Sequence, residues 1–210
     1  MSTLADLKAE IADDLDRTDL TDQIEREITR AIIYYQGIRF YFNETRDVTF
    51  PTVAAQKLYT VADAAEIPNF YEIDQICVEN GDEKTDLDPI FPREWELLTG
   101  DSGGSSKPIS WAYFDRSIGL YPIPDAAYTV RLIGHIKKAA PEDDTEEDNV
   151  WMVEAFDLIR ARVCATLALK KLRDSTLFQA HSAAEGVELQ RLLAETAGRV
   201  GTGYVIPSDF

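Results

Sequence analysis

The sequence predicts an α+β fold: a helical bundle with a small antiparallel β-sheet or barrel inserted into it, ending in an extended C-terminal tail. Three observations carry this. Apolar residues recur at three- and four-residue spacing at both ends of the chain, over residues 3–36 and 150–197. Between them, from Glu44 to Ile136, the pattern changes to short extended runs punctuated by Pro, Gly and Asn. The last ten residues, Gly201–Phe210, are apolar with neither period. The expected bounds are 1–43 and 141–198 for the bundle, 44–140 for the inserted β-domain, and 199–210 for the tail.

The N-terminal helix is predicted over 3–16, with Leu4, Leu7, Ile11 and Leu15 on one stripe facing away from Asp13, Asp14 and Asp16. Thr21 is the expected N-cap of a second helix. Its stripe of Ile24, Ile28, Ile32 and Tyr35 runs to Gln36, and Gly37 supplies a stop. The short link makes the pair an αα-hairpin. Tyr34, Tyr35, Phe40, Tyr41 and Phe42 follow as an aromatic cluster. Stacking on bases needs basic residues interleaved, and only Arg39 is present, so the cluster reads as a seal on the helical layer.

In the middle of the chain, Arg46–Phe50, Lys57–Val61 and Glu72–Val78 read as strands, with Pro51 and Pro68 as breaks and Asn80-Gly81 as a turn. Pro92–Leu98 fits one or two helical turns opened by proline, and Gly100–Pro108 a flexible loop. Ile109–Phe114, Ile118–Tyr121 and Tyr128–Ile136 complete six short strands. No strand–helix–strand rhythm is visible, which excludes a doubly wound parallel sheet.

Residues 141–149 form a charge block with six carboxylates: Glu142, Asp143, Asp144, Glu146, Glu147 and Asp148. The spacing of a calcium loop is absent, so a solvated loop is expected. Val150–Arg173 then contains neither Gly nor Pro and predicts one uninterrupted helix, capped by Asn149 or Asp148. Its core stripe is Met152, Phe156, Ile159, Val163 and Leu167, and Ala161, Ala165 and Ala168 offer a face for close helix approach. Asp174-Ser175 interrupts, and a last helix is expected over Ser175–Ala197. Beyond it, an unstructured tail bearing Tyr204, Val205, Ile206 and Phe210 is too apolar to stay in water and must dock.

Charge and motifs limit the chemistry. Thirty-eight acidic against 21 basic residues give a net charge of −17. That balance disfavours wrapping nucleic acid or docking on anionic lipid. The opening residues predict no signal peptide, and no apolar run reaches the ~18 residues of a membrane span. Cys77 and Cys164 make neither a disulfide framework nor a zinc spacing, so buried reduced thiols are expected. Gly100-Asp101-Ser102-Gly103-Gly104 matches a serine-nucleophile motif, but both histidines, His135 and His181, follow it. That rules out the protease orders with histidine first, and a hydrolase elbow needs a strand before the serine and a helix after it. Each histidine stands alone in sequence, with no partner at ligand spacing. No catalytic residue, metal or cofactor is therefore expected.

The stretches LADLKAEIADDLDRTDLTDQIEREITRAIIYYQGIRFYFNE, LYPIPDAAYTVRLIGHIKKAA and EAFDLIRARVCATL resemble, in order and over nearly the whole chain, the tailed-bacteriophage head-to-tail adaptor (connector) proteins. The resemblance implies a helical bundle with an inserted β-domain, assembled beneath the portal protein as a ring, most often a dodecamer, around the channel that DNA crosses. It implies that the C-terminal segment grips the portal, with Tyr204, Val205, Ile206, Pro207 and Phe210 as the docking residues. Further partners would be a tail component (nozzle, stopper or tail tube) and other copies of the chain, with DNA passing unbound and no membrane involved. The expected location is the virion head–tail junction, after assembly in the host cytoplasm. The block Glu142, Asp143, Asp144, Glu146, Glu147 and Asp148 is then the candidate acidic lining. The alternatives are an acidic interaction module that forms no ring and, more remotely, a serine hydrolase using Ser102.

Overall fold

The computed structural model describes residues 2–81, 83–100 and 104–200. The chain divides into two compact units, one of residues 1–43 with 138–210 and one of residues 44–137.

The first unit is helical. Helix α1 (Leu4–Asp14) begins at Thr3, whose hydroxyl accepts from the Asp6 amide while Asp6 accepts from the Thr3 amide. This reciprocal box satisfies two of the backbone donors left open at a helix start. Helix α2 (Thr21–Tyr35) starts one residue before the sequence suggested: Leu20 is the N-cap, without a side-chain bond, and Thr21 is the first helical residue. Burying Leu20 fixes that start, at 5% exposure. The hydroxyl of Thr21 contributes no cap.

The expected single helix over Val150–Arg173 is instead three pieces: α4 (Val150–Glu154), α5 (Phe156–Leu167) and a π-turn over Ala168–Leu172. Neither Gly nor Pro makes the first break, which falls at Ala155 (φ −123°, ψ 18°). Packing holds it. Trp151 is fully buried, its indole N–H donates to the Lys138 carbonyl, and Phe42 meets its ring edge-on. Asn149 caps α4 by accepting from the Trp151 amide at 3.1 Å. Arg173 closes the π-turn in the left-handed region (φ 54°), and Asp174 caps α6 (Ser175–Val200) through the Thr176 and Leu177 amides.

Met152, Ile159, Val163 and Leu167 are buried and Phe156 is partly buried, all in one core with Leu7, Ile11, Ile28, Ile32 and Leu192. Ala161, Ala165 and Ala168 are also buried. Small side chains there let α6 approach α5 closely.

Among the described residues, the second unit contains eight strands rather than six, in two four-stranded sheets. Strands β1 (Glu44–Pro51), β8 (Thr129–Ile136), β3 (Phe70–Asn80) and β4 (Glu83–Asp86) form one, antiparallel throughout. The other joins β2 (Leu58–Tyr59), β7 (Ser117–Tyr121), β6 (Ser110–Phe114) and β5 (Asp88–Pro89). The register lines up inward residues in rows: Phe50 opposite Val130 opposite Val78, and Val48 opposite Leu132 opposite Ile76. A one-residue slip would turn every one of them outward. These rows pack with Tyr59, Trp111, Ile118 and Leu120 from the second sheet.

Strands β4 and β5 escaped the sequence reading because their residues, Glu83–Asp86 and Asp88–Pro89, are polar or too few to show a period. The β5–β6 pair is parallel, with α3 (Pro92–Leu98) in the crossover, so one strand–helix–strand unit is present after all. Among the described residues, no helix is long and apolar enough to cross a membrane.

Candidate functional site

The acidic block marked out by the sequence is held by its own hydrogen bonds. Asp143 accepts from both the amide and the hydroxyl of Thr145 at 2.8 Å, a local turn that also holds its carboxyl below the usual range. The Glu142 amide donates to Glu146 at 2.6 Å, and Asn149 donates to the other Glu146 oxygen at 3.0 Å. Asp148 takes a left-handed conformation (φ 65°) just before the cap of α4. The block is therefore an ordered loop, not a free charge run.

It is also anchored. The Ala5 amide donates to the Asp144 carbonyl at 3.1 Å, and Lys8 reaches the Asp144 carboxylate at 2.7 Å and Glu25 at 3.4 Å. Partial burial works against the charged Lys8 ammonium, but Asp144 and Glu25 outweigh it and raise its pKa. A depression of about 380 Å³ lies between loop and helices, walled by Leu4, Lys8, Glu25, Ile32 and Pro141 among others.

Among the described residues, no cation stands within salt-bridge distance of Glu142, Asp143, Glu147 or Asp148, and all four are exposed. The loop thus presents a fixed ridge of negative charge. Lys8, the only basic residue of α1, was missed as its anchor because sequence spacing carries no sign of a contact 136 residues away.

The other candidates separate plainly. The tail residues Tyr204, Val205, Ile206, Pro207 and Phe210 lie outside the described residues, as does Ser102. A helix, α3, precedes the GDSGG motif; after it, Ser105 pairs with Ile123 and β6 follows. His135 is buried in β8. His181 is not isolated in space: its ring lies with Asp14 and Cys164, ligand atoms all within 4.8 Å of one another. Of the aromatic cluster, Tyr35 and Phe40 are fully buried in the helical core and Phe40 stacks on Phe42, whereas Tyr34 is exposed beneath Arg162.

No curated protein matches the chain. The family model described as SU10 adaptor protein does match, over residues 2–207. A helical unit interrupted by a β-unit, with an ordered acidic loop and no assembled catalytic constellation among the described residues, is thus the form that this chain takes as a member of the SU10 adaptor protein family, a family of phage head-to-tail adaptors.

Proposed function

We propose that this protein is a virion structural component that assembles as a ring, a dodecamer by resemblance, between portal and tail, around the channel that DNA crosses. The observation that carries this reading is the family match over residues 2–207, which supports a structural head-to-tail adaptor role at the head–tail junction. The ring, the channel and the docking roles extend that role to this chain's own surfaces. The helical unit supplies a tightly packed body, and the β-unit offers a surface to a tail component. Tyr204, Val205, Ile206, Pro207 and Phe210 anchor each subunit to the portal, since aromatic and aliphatic anchors dominate such interfaces. The acidic ridge Glu142–Asp148 repels phosphate, so DNA slides past without sticking. Assembly takes place in the host cytoplasm.

Solution mass by light scattering tests the reading, for the protein alone and mixed with the portal ring from the same genome. The expected result is recruitment at ring stoichiometry, abolished when residues 201–210 are removed. A protein that remains monomeric and ignores the portal overturns it.

A further inference from the structure

We infer that Asp14, Cys164 and His181 form a binding site for a divalent transition-metal ion of the zinc or cobalt type, clasping three helices of the helical unit. The three residues come from the C-terminal end of α1, the last turn of α5 and the first turns of α6. They are 150 and 167 residues apart from Asp14 in sequence, so no spacing motif could reveal them. Folding brings one oxygen, one sulfur and one nitrogen ligand within 4.8 Å of one another.

The Cys164–Asp14 edge of the site suits such an ion. Zinc–sulfur and zinc–oxygen bonds of about 2.3 and 2.0 Å at a tetrahedral angle place the two ligand atoms roughly 3.5 Å apart. Cys164 Sγ lies 3.7 Å from Asp14 Oδ2. The mixed donor set selects borderline-soft ions over magnesium or calcium, which prefer oxygen alone. Cys164 is buried, His181 is partly buried, and Asp14 is open to solvent. His181 also lines a surface depression of about 250 Å³ with Asp157, Arg160 and Glu188, which gives an ion a way in and leaves room for water as a fourth ligand.

The metal-free protein places a cation there already. Arg160 Nε lies 3.4 Å from Asp14 Oδ2, and the same guanidinium pairs with Glu10 and, at 3.7 Å, with Asp157. Arg160 therefore competes with the metal for Asp14. Removing it leaves three carboxylates around the site and should strengthen metal binding, the opposite of what loss of a merely structural ion pair would do. The inference does not depend on the adaptor role.

The test is titration of the reduced full-length chain with Co²⁺. One equivalent should bind with thiolate-to-cobalt charge-transfer absorption and tetrahedral visible bands, and Zn²⁺ should displace it. At free metal about a hundredfold above Kd, the unfolding midpoint should rise by roughly 5–10 °C. His181→Gln, at a partly exposed position that folding tolerates, should weaken binding at least tenfold. Cys164→Ser should abolish the charge-transfer band, and Arg160→Gln should tighten binding several-fold. No band in the reduced wild-type chain overturns the site. So does a band that survives Cys164→Ser, which places the metal at Cys77, or one indifferent to His181→Gln.

Discussion

Tyr35 on α2 donates its phenolic proton to Glu185 on α6 at 2.5 Å, and the same carboxylate oxygen accepts from Arg162 on α5 at 2.6 Å. One carboxylate thus ties three helices. Burial, reinforced by Glu185, pushes the Tyr35 hydroxyl well above its ordinary range, so it stays a donor at any pH the protein meets. The Arg162 guanidinium also lies 3.6 Å over the Tyr34 ring.

Removing different members of this node should cost different amounts. Tyr35→Phe leaves the ion pair intact and should cost about 1.5–2 kcal/mol, the low end of the range for one hydrogen bond to a charged group, because the node is only partly buried. Glu185→Leu leaves Arg162 partly buried and uncompensated, and should cost about 2–4 kcal/mol. Urea unfolding of both variants decides the matter. Equal losses would mean that the phenol, not the arginine pair, carries the node.

How far the sequence reached can be judged from such contacts. Helical stripes such as Ile24, Ile28 and Ile32 were legible because burial repeats with the helix period, and their burial follows the stripe. The break at Ala155 was not, because Trp151 and Phe42 create it from 109 residues apart. Strands with inward rows were legible, whereas β4 and β5 were not, since Asp88-Pro89 holds its place only through pairing with Ser110 and Trp111. At the candidate sites the acidic residues announced themselves by composition. Their anchor Lys8 and the meeting of Asp14, Cys164 and His181 arise only when helices pack.

Gly119 on β7 is a position where the absence of a side chain is required. A Cβ there would lie 2.5 Å from Cε2 of Trp95, whose indole N–H donates to the neighbouring Leu120 carbonyl at 3.1 Å. Gly119→Ala must displace a tryptophan that is only 3% exposed. The expected loss is about 1–3 kcal/mol, as for other overpacked sites. A shift in tryptophan emission should accompany it, and an unchanged spectrum with unchanged stability would refute the tight fit.

Cys164 sets an alkaline limit on the metal-free helical unit. Burial pushes its thiol from 9.0 up to about 12, with Asp14 adding to the rise and Arg160 opposing it. An unfolded chain therefore releases this proton at lower pH than the folded one. The stabilising contribution is whole below pH 9 and is lost as pH rises toward 12. Unfolding free energy measured from pH 8 upward should fall more steeply for wild type than for Cys164→Ala. Parallel curves would show that the thiol titrates alike in both states. At neutral pH the native thiol should resist aromatic disulfide reagents until the chain is denatured.

The acidic ridge gives the prediction closest to function. Asp144 and Glu146 hold the loop in place, through Lys8 and Asn149, while Glu142, Asp143, Glu147 and Asp148 have exposed carboxylates. Replacing those four by their amides keeps side-chain acceptors, including the one that Thr145 uses at Asp143. Stability should be essentially unchanged by the four replacements, as for surface substitutions away from the core. Asp144→Ala should instead leave Lys8 with Glu25 alone and cost about 0.2–1 kcal/mol, the range for an exposed pair. Under the proposed role, particles built with the four amides should assemble normally but eject DNA more slowly, because phosphate is no longer repelled at the ridge. The difference should narrow as salt is raised, since the Debye length falls from about 10 Å at 0.1 M to about 3 Å at 1 M. Ejection followed by a DNA-binding dye reads this directly, and wild-type rates at low salt would remove the ridge from the channel.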